Sequence, residues 1–327
     1  MNIVTAPQVQ LLDVDESSEG QRVDNYLMKV LKGVPKTHIY RLVRAGEVRV
    51  NKKRVQADTR LSIGDVVRIP PVRVSQTPVA PADRYAPPEE FPILFEDDCF
   101  LAVNKPAGVA VHGGSGVSFG VIEQLRSARP DAKMLELVHR LDRETSGILL
   151  IAKKRSALKH LQDQFRNRTI DKRYLALAKG LWPERRKVID VDLFKYLLPN
   201  GERRVKVVPK GTDGSQRSVS LVRVLAHGRP PCIEEEATLL EVKIKTGRTH
   251  QIRVHLANFD APIAGDDKYG DFAWNKVLER AGLKRMYLHA FHLIAQHPVT
   301  SESIEIRADI PNELKAWSFR WSASNDQ

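Results

Sequence analysis

Four short segments gather the side chains that could do chemistry. They are Asn104-Lys105-Pro106-Ala107-Gly108, running on to His112-Gly113-Gly114-Ser115-Gly116; His139-Arg140-Leu141-Asp142-Arg143-Glu144-Thr145-Ser146-Gly147; Lys172-Arg173-Tyr174; and Thr246-Gly247-Arg248-Thr249-His250-Gln251-Ile252-Arg253-Val254-His255. The glycine-rich run has neither the Gly-Lys-Ser/Thr of a phosphate-binding loop nor dinucleotide-type glycine spacing, so its glycines serve a tight turn or a close backbone approach. His250 and His255 are five positions apart rather than four and no HExxH is present, so zinc-hydrolase spacing is absent and structural histidines are expected. Asp142 stands between Arg140 and Arg143. On its own, that arrangement suits an ion pair as well as an acid-base or nucleophilic role.

All four segments are expected on loops, where a rigid scaffold commonly holds functional groups. Asp142 lies between the apolar runs Leu135–Val138 and Ile148–Ala152, which places it at the edge of a sheet. Phe100–Val103, Gly147–Ala152, Tyr174–Ala178, Thr238–Ile244 and Ser303–Ile306 read as strands, and Ser156–Arg168 as a helix with Leu158, Leu161 and Phe165 on one face. A mixed α and β domain from about residue 91 to 320 follows.

Ahead of it the composition changes. Residues 1–19 carry four acidic residues and no Lys or Arg, whereas residues 20–74 carry 13 Lys/Arg against 4 Asp/Glu. In that block Val23, Tyr26, Leu27, Val30 and Leu31 recur at helical spacing up to Gly33 and Pro35. Thr37 is a candidate N-cap for a second helix closed by Gly46. Asn51-Lys52 reads as a turn and Val66–Ile69 as a strand. The pattern predicts an acidic leader (1–19), a small nucleic-acid-binding domain (20–80), a proline-rich linker (81–90), a large domain (91–320) and a short tail (321–327).

The formal net charge of +12 points to a polyanionic partner. The apolar run Ile148–Ala152 is five residues, far short of the roughly 20 a membrane span needs. Residues 1–16 lack a basic and apolar leader, and the two cysteines, Cys99 and Cys232, form no CxxC pair. A cytoplasmic protein without membrane contact, disulfide framework or cysteine-rich zinc site is expected.

Taken together and in order, NKPAG, HRLDRETSG, KRY and GRTHQIRVH resemble the motifs of the RluA-type pseudouridine synthases, and residues 20–74 resemble the S-four-type RNA-binding domain often placed before such catalytic domains. The resemblance covers residues 20 to about 320. It implies an α+β catalytic domain with a mixed, largely antiparallel sheet flanked by helices. The implied enzyme is a cofactor-free, metal-free isomerase that flips a uridine out of RNA, breaks its C1′–N1 bond and rejoins C1′ to C5. The phrases GVPKxxIYRLxRxGEVRVNKKR, VHGGSGxSFGVIExLR and AKKRSAL narrow the substrate to 23S ribosomal RNA, free or in a large-subunit assembly intermediate, at more than one uridine, with a monomeric enzyme.

By the same resemblance, Asp142 is the catalytic carboxylate. Breaking a glycosidic bond builds positive character at C1′, which a carboxylate can stabilise or attack. Attack on C1′ and removal of a C2′ proton both stay open. Arg253 matches the partner of that carboxylate and Ile252 the apolar residue against the base. Tyr174 matches the tyrosine that stacks on the base and assists at C5, and Arg140 the residue that fills the gap left by the flipped base. His139, Lys105 and Arg248 fall in the same motifs as expected substrate-binding residues. Lys36, Arg41, Arg44, Lys52, Lys53 and Arg54 in the small domain, with Lys153, Lys154 and Arg155 in the large one, are the expected RNA-binding cations. Two rival readings are a non-catalytic RNA-binding protein and a metal-dependent nuclease built on His139, Asp142 and His250.

Overall fold

The computed structural model describes residues 8–31, 33–72, 86–114, 118–230, 233–317 and 322–323. Most of the linker, Ser115, Gly116, Cys232 and most of the tail lie outside the described residues. The chain divides into two units: Met1–Ala86 with Asp131–Met134, and Pro87–Pro130 with Leu135–Gln327.

The small unit contains β1 (Gln10–Asp13), α1 (Val23–Val30), α2 (Lys36–Ala45), β2 (Arg49–Val50), β3 (Lys53–Arg54) and β4 (Val66–Ile69). Its sheet runs β1-β4-β2-β3, antiparallel throughout. Val23, Leu27, Ile39, Val48, Leu61, Val67 and Ile69 form its core. Asn51 and Lys52 both have positive φ (49° and 68°), the backbone a two-residue hairpin turn requires. Two expectations are corrected. Pro35, not Thr37, sits at the N-cap of α2, because its fixed φ suits the position just before the first helical turn. The later half of the acidic leader is not a tail: Gln10–Asp13 pairs with β4 and Val14 is buried in the same core.

The large unit begins with β5 (Ile93–Glu96), β6 (Phe100–Lys105), α3 (Val121–Ala128), β7 (Glu136–Leu137), β8 (Ser146–Ala152) and α4 (Arg155–Asn167). It continues with β9 (Asp171–Lys179), β10 (Val188–Leu197), β11 (Arg203–Val208), β12 (Gln216–Gly228), β13 (Ala237–Ile244) and α5 (Gln251–Ala257). It ends with α6 (Phe272–Arg280), β14 (Leu288–Gln296), β15 (Ser303–Arg307), α7 (Asn312–Lys315) and β16 (Ser322–Ala323). The main path of its sheet is β11-β10-β12-β13-β9-β14-β8-β6-β5. Pairing is antiparallel except for β14 on β8. Every residue of β8 is buried, which is why its sequence reads as a continuous apolar run rather than an alternation.

The parallel contact explains Gly147. Its φ is +110°, and a Cβ there would stand 2.1 Å from the Ala290 carbonyl oxygen, so the two strands can meet only over a glycine. Beside it, Arg285 Nη2 donates to Ser146 Oγ (2.6 Å), which is 2.8 Å from His289 Nδ1 on β14. These contacts fix the strand end from which the Asp142 loop emerges.

Two of the four segments are not loops. Lys172-Arg173-Tyr174 lies inside β9, and Gln251–His255 forms most of α5. The period-two signal of β9 starts at charged residues, and α5 is too short to show helical periodicity.

Candidate active site

A cavity in the large unit is lined by Arg140, Asp142, Tyr174, Arg248, Ile252 and Arg253, with His250 and Gln251 beside them. Three scaffolds supply these groups: the β7–β8 loop, strand β9, and the turn leading into α5. The loop carrying Asp142 is braced from behind. Thr145 N–H donates to the Asp142 carbonyl (3.1 Å) and Gly108 N–H to the Arg143 carbonyl (2.9 Å). The turn before α5 is pinned by the buried Gln251. Its Oε1 accepts from Thr246 Oγ1 and Arg248 N, and its Nε2 donates to Val219 O and Ser220 Oγ, which satisfies all four of its bonding positions.

Arg253 is 2 % exposed, and Asp142 is its most distant carboxylate partner. Its Nε and Nη2 form a bidentate pair with Asp266 (2.7 and 2.6 Å), and Nη2 also reaches Asp267 (3.0 Å). Nη1 lies 3.8 Å from Asp142 Oδ2. The expected Arg253–Asp142 pair is therefore present but secondary. Burial opposes the charge on Arg253, yet the Asp266 hydrogen bonds together with the charges of Asp266, Asp142 and Asp267 outweigh it, and its pKa is raised. Burial likewise disfavours the Asp266 carboxylate, and the same guanidinium together with the Lys268 and Tyr269 N–H groups compensates, holding its pKa below the usual range. Lys268 N–H and Tyr269 N–H bind Asp266 as well (2.8 and 3.0 Å). Asp266 escaped the sequence reading. Its only signal is a carboxylate in the short polar run Gly265–Gly270, which resembles any exposed turn.

Tyr174 is 8 % exposed, and burial together with the Asp142 charge raises the pKa of its hydroxyl. The phenol stays protonated, so the ring is available for packing and the hydroxyl as a donor. Ile252 is buried on the cavity wall. Arg140 is exposed and has no carboxylate partner among the described residues.

Two expected substrate-binding residues do not line the cavity. Lys105 is fully buried, and its Nζ donates to the carbonyls of Pro106, Val109 and Arg143 (2.8, 2.8 and 3.0 Å). Burial lowers its pKa to about 7. It ties the NKPAG turn to the Asp142 loop and has no donor left for a substrate. His139 Nε2 accepts from Leu150 N–H (3.1 Å) and its ring stacks on Phe165 of α4 at 4.7 Å. Burial lowers its pKa to about 3, so it is a neutral packing residue. The nuclease trio of His139, Asp142 and His250 is therefore not assembled. Arg248 does line the cavity, its Nε bonded to the Arg217 carbonyl (3.3 Å).

Among the expected RNA-binding cations, Lys36, Arg41, Arg44, Lys52, Lys53 and Arg54 are exposed, with no carboxylate within ion-pair distance among the described residues. Lys153 is different: its Nζ donates to Glu96 Oε1 (2.9 Å) and the Asp97 carbonyl (2.6 Å), which commits it internally. Lys154 is exposed and Arg155 half-buried.

Asp97, Cys99 and His297 converge within 4.8 Å. Hydrogen bonds account for the cluster. His297 Nδ1 accepts from Val299 N and Thr300 N, so Nε2 carries the proton that bonds Asp97 Oδ2 (2.6 Å). A metal at Nε2 would need the opposite tautomer.

The geometry is a mixed sheet with a buried Arg–Asp pair facing a loop carboxylate. Comparison with known proteins places the chain in a family. The family model described as RNA pseudouridylate synthase matches residues 99–258, and that of the S4 domain residues 21–67. The chain is 50% identical over 311 residues to "Ribosomal large subunit pseudouridine synthase C" of Haemophilus influenzae, covering 94% of each chain. It is also 50% identical to the protein of that name from Pasteurella multocida, over 94% of this chain and 92% of that one. Among solved structures, human RNA pseudouridylate synthase domain containing 1 matches 72% of this chain and 89% of its own, with 27% identity and a TM-score of 0.57. The chain belongs to the RNA pseudouridylate synthase family. It is an RNA-acting isomerase with an S4 domain ahead of its catalytic domain. No described helix is long and apolar enough to cross a membrane.

Proposed function

We propose that this protein converts uridine to pseudouridine in 23S ribosomal RNA, at more than one position, as a cytoplasmic monomer acting on free RNA or a large-subunit assembly intermediate. The observation that carries the reading is Asp142. Among the described residues it is the one carboxylate that lines the cavity beside Tyr174 and Ile252 while facing a buried arginine. The extensive identity to proteins named for the ribosomal large subunit supports the choice of RNA.

In this reading the flipped uracil lies between Tyr174 and Ile252, and Arg140 takes the vacated place in the RNA stack. Asp142 meets the sugar at C1′ or C2′. Arg253 orients Asp142, and Asp266 keeps Arg253 in place. Residues 20–80 bind RNA, the linker at 81–90 tethers them, and residues 91–320 carry the chemistry.

Two measurements test it. Chemical mapping of pseudouridine in ribosomal RNA from cells with and without the protein should show sites that vanish in its absence. Asp142→Asn changes charge with little change of shape. It should abolish tritium release from 5-tritiated uridine RNA in single turnover while RNA binding persists. Activity within tenfold of the unmodified protein would sink the assignment.

A further inference from the structure

We propose that His250 is a catalytic hydrogen-bond donor, its Nε2–H binding a carbonyl oxygen of the uracil ring as the glycosidic bond breaks. The inference rests on the uridine-isomerising reading of the cavity and adds a group for which that reading has no role.

The chemistry leaves a gap. When C1′–N1 breaks, the bonding electron pair stays on uracil, and the charge spreads from N1 onto O2 and O4. Asp142 answers the positive character on the sugar but is repelled by this anion. A preorganised donor at a carbonyl oxygen would stabilise it, as donors do for other developing oxyanions. His250 need not transfer a proton: C1′ bonds to C5 as C1′–N1 is lost, the C5 proton passes to solvent as the tritium assay reads, N1 takes a proton back from solvent, and the donor keeps its own.

Three observations single out His250. First, it lines both the Tyr174–Ile252 cavity and the adjoining cleft that holds Asp142 and Arg253. Second, its tautomer is set from outside. Tyr269 Oη accepts the Val205 N–H (3.0 Å) and lies 2.8 Å from His250 Nδ1. No other described group accepts the Tyr269 hydroxyl proton, so with Val205 donating to the oxygen that proton goes to Nδ1, which places the imidazole proton on Nε2. No described group accepts from that Nε2. Third, His250 holds φ at +52°, a left-handed conformation unusual for histidine, at the turn into α5. Strain of this kind persists where the surroundings enforce it, and it gathers at functional sites.

The electrostatics agree. Burial lowers the His250 pKa, Asp142 pulls it back up, and Arg253 and Lys268 push it down. The net direction is downward, toward a neutral donor rather than a cation.

The test compares two amides. In His250→Asn the side chain suits a left-handed backbone and ends near the Nδ1 position, keeping an acceptor for Tyr269 but leaving the Nε2 position empty. In His250→Gln an amide N–H reaches the Nε2 position. At saturating RNA, His250→Asn should lower the single-turnover rate about a hundredfold, with Kd for RNA changed less than about threefold on the same argument that the donor acts on charge formed only in the transition state. His250→Gln should recover at least about tenfold of that loss. Target RNAs carrying 2-thiouridine or 4-thiouridine at the modified position, where sulfur is the poorer acceptor, supply the direct readout. The unmodified enzyme should slow on one of the two thio-RNAs, and His250→Asn should not slow further on that same RNA. If His250→Asn retains full rate, or if each thio-substitution slows both proteins alike, His250 is not the donor. An active Asp142→Asn would instead overturn the underlying reading, so the two failures are distinct.

Discussion

The two units use the same kinds of charge in opposite ways. In the small unit Lys36, Arg41, Arg44, Lys52, Lys53 and Arg54 stand in solvent, and the Arg54 guanidinium donates to the Ala45 carbonyl (3.3 Å). In the large unit Arg253 is buried against Asp266, Asp267 and Asp142. Exposed cations act nearly independently, each neutralising a phosphate with a strength that depends on salt. A buried, multiply bonded arginine is part of one network, and removing a member leaves an uncompensated charge. Affinity can therefore be spread over many replaceable residues, whereas chemistry depends on a few that cannot be changed one at a time.

The contrast breaks most sharply at Asp266. Asp266→Asn strips Arg253 of its bidentate partner and should cost about 3–5 kcal/mol, divided between folding and the barrier. Thermal unfolding and single-turnover rates read the two shares, and the RNA-binding salt slope should not move. Unchanged stability and rate would mean that Asp267 and Asp142 suffice to hold the guanidinium.

Next comes the combined replacement of Lys52, Lys53 and Arg54 by Ala. Affinity should fall, and the slope of log K against log salt should flatten by about 0.7–0.9 for each phosphate that is no longer neutralised, with the rate at saturating RNA unchanged. A lower rate at saturation would show that the small unit shapes the active site and would erase the division of labour.

A third difference is pH. Burial lowers His255 and His289 of the large unit to about 4 each, against about 6.5 for an unfolded chain. Between those values the unfolded chain binds the extra protons. Stability should therefore fall as pH drops from 6.5 toward 4, by about 1.4 kcal/mol per pH unit for each histidine. The small unit buries no histidine among its described residues. Denaturation at pH 7.5 and 5, followed separately by hydrogen exchange in each unit, should place the loss in the large one. The smallest effect belongs to Lys153→Ala. Its ammonium already serves Glu96 and Asp97, so RNA affinity should stay within about twofold, as expected for a half-exposed ion pair. A salt-slope change there would return Lys153 to the RNA surface.

What was legible in the sequence follows from the range of the forces involved. Local patterns marked α1, α2, β4, β6, β8 and α4 to within a few residues, because amphipathic periodicity and apolar runs are written locally. The long hairpin of β10 and β11, with β12 beside it, went unread although Val188–Leu197 and Gln216–Gly228 alternate in part, because charged residues interrupt both. Asp142, Tyr174, Ile252, Arg253, Arg140 and Arg248 were found through motif resemblance, and the fold brings all six to one cavity. Lys105 and His139 sit in the same motifs yet serve packing, since a motif records which residues matter without saying which face the ligand. Asp266 and Tyr269 were missed because their importance lies wholly in contacts made across the fold.

The place of β14 has a consequence for synthesis. Asp142 hangs from the β8-β6-β5 side of the sheet, while Tyr174 and Arg253 belong to the β9-β13 side, and β14 is the strand that joins the two. β14 begins at Leu288, more than 100 residues after β9 ends. Until that late stretch leaves the ribosome, each half-sheet shows an open edge and the carboxylate has no arginine to face. Pairings so distant in sequence form slowly. If the site closes only when β14 pairs, pulse-labelled chains should gain protease resistance and isomerase activity together, and only after β14 has emerged.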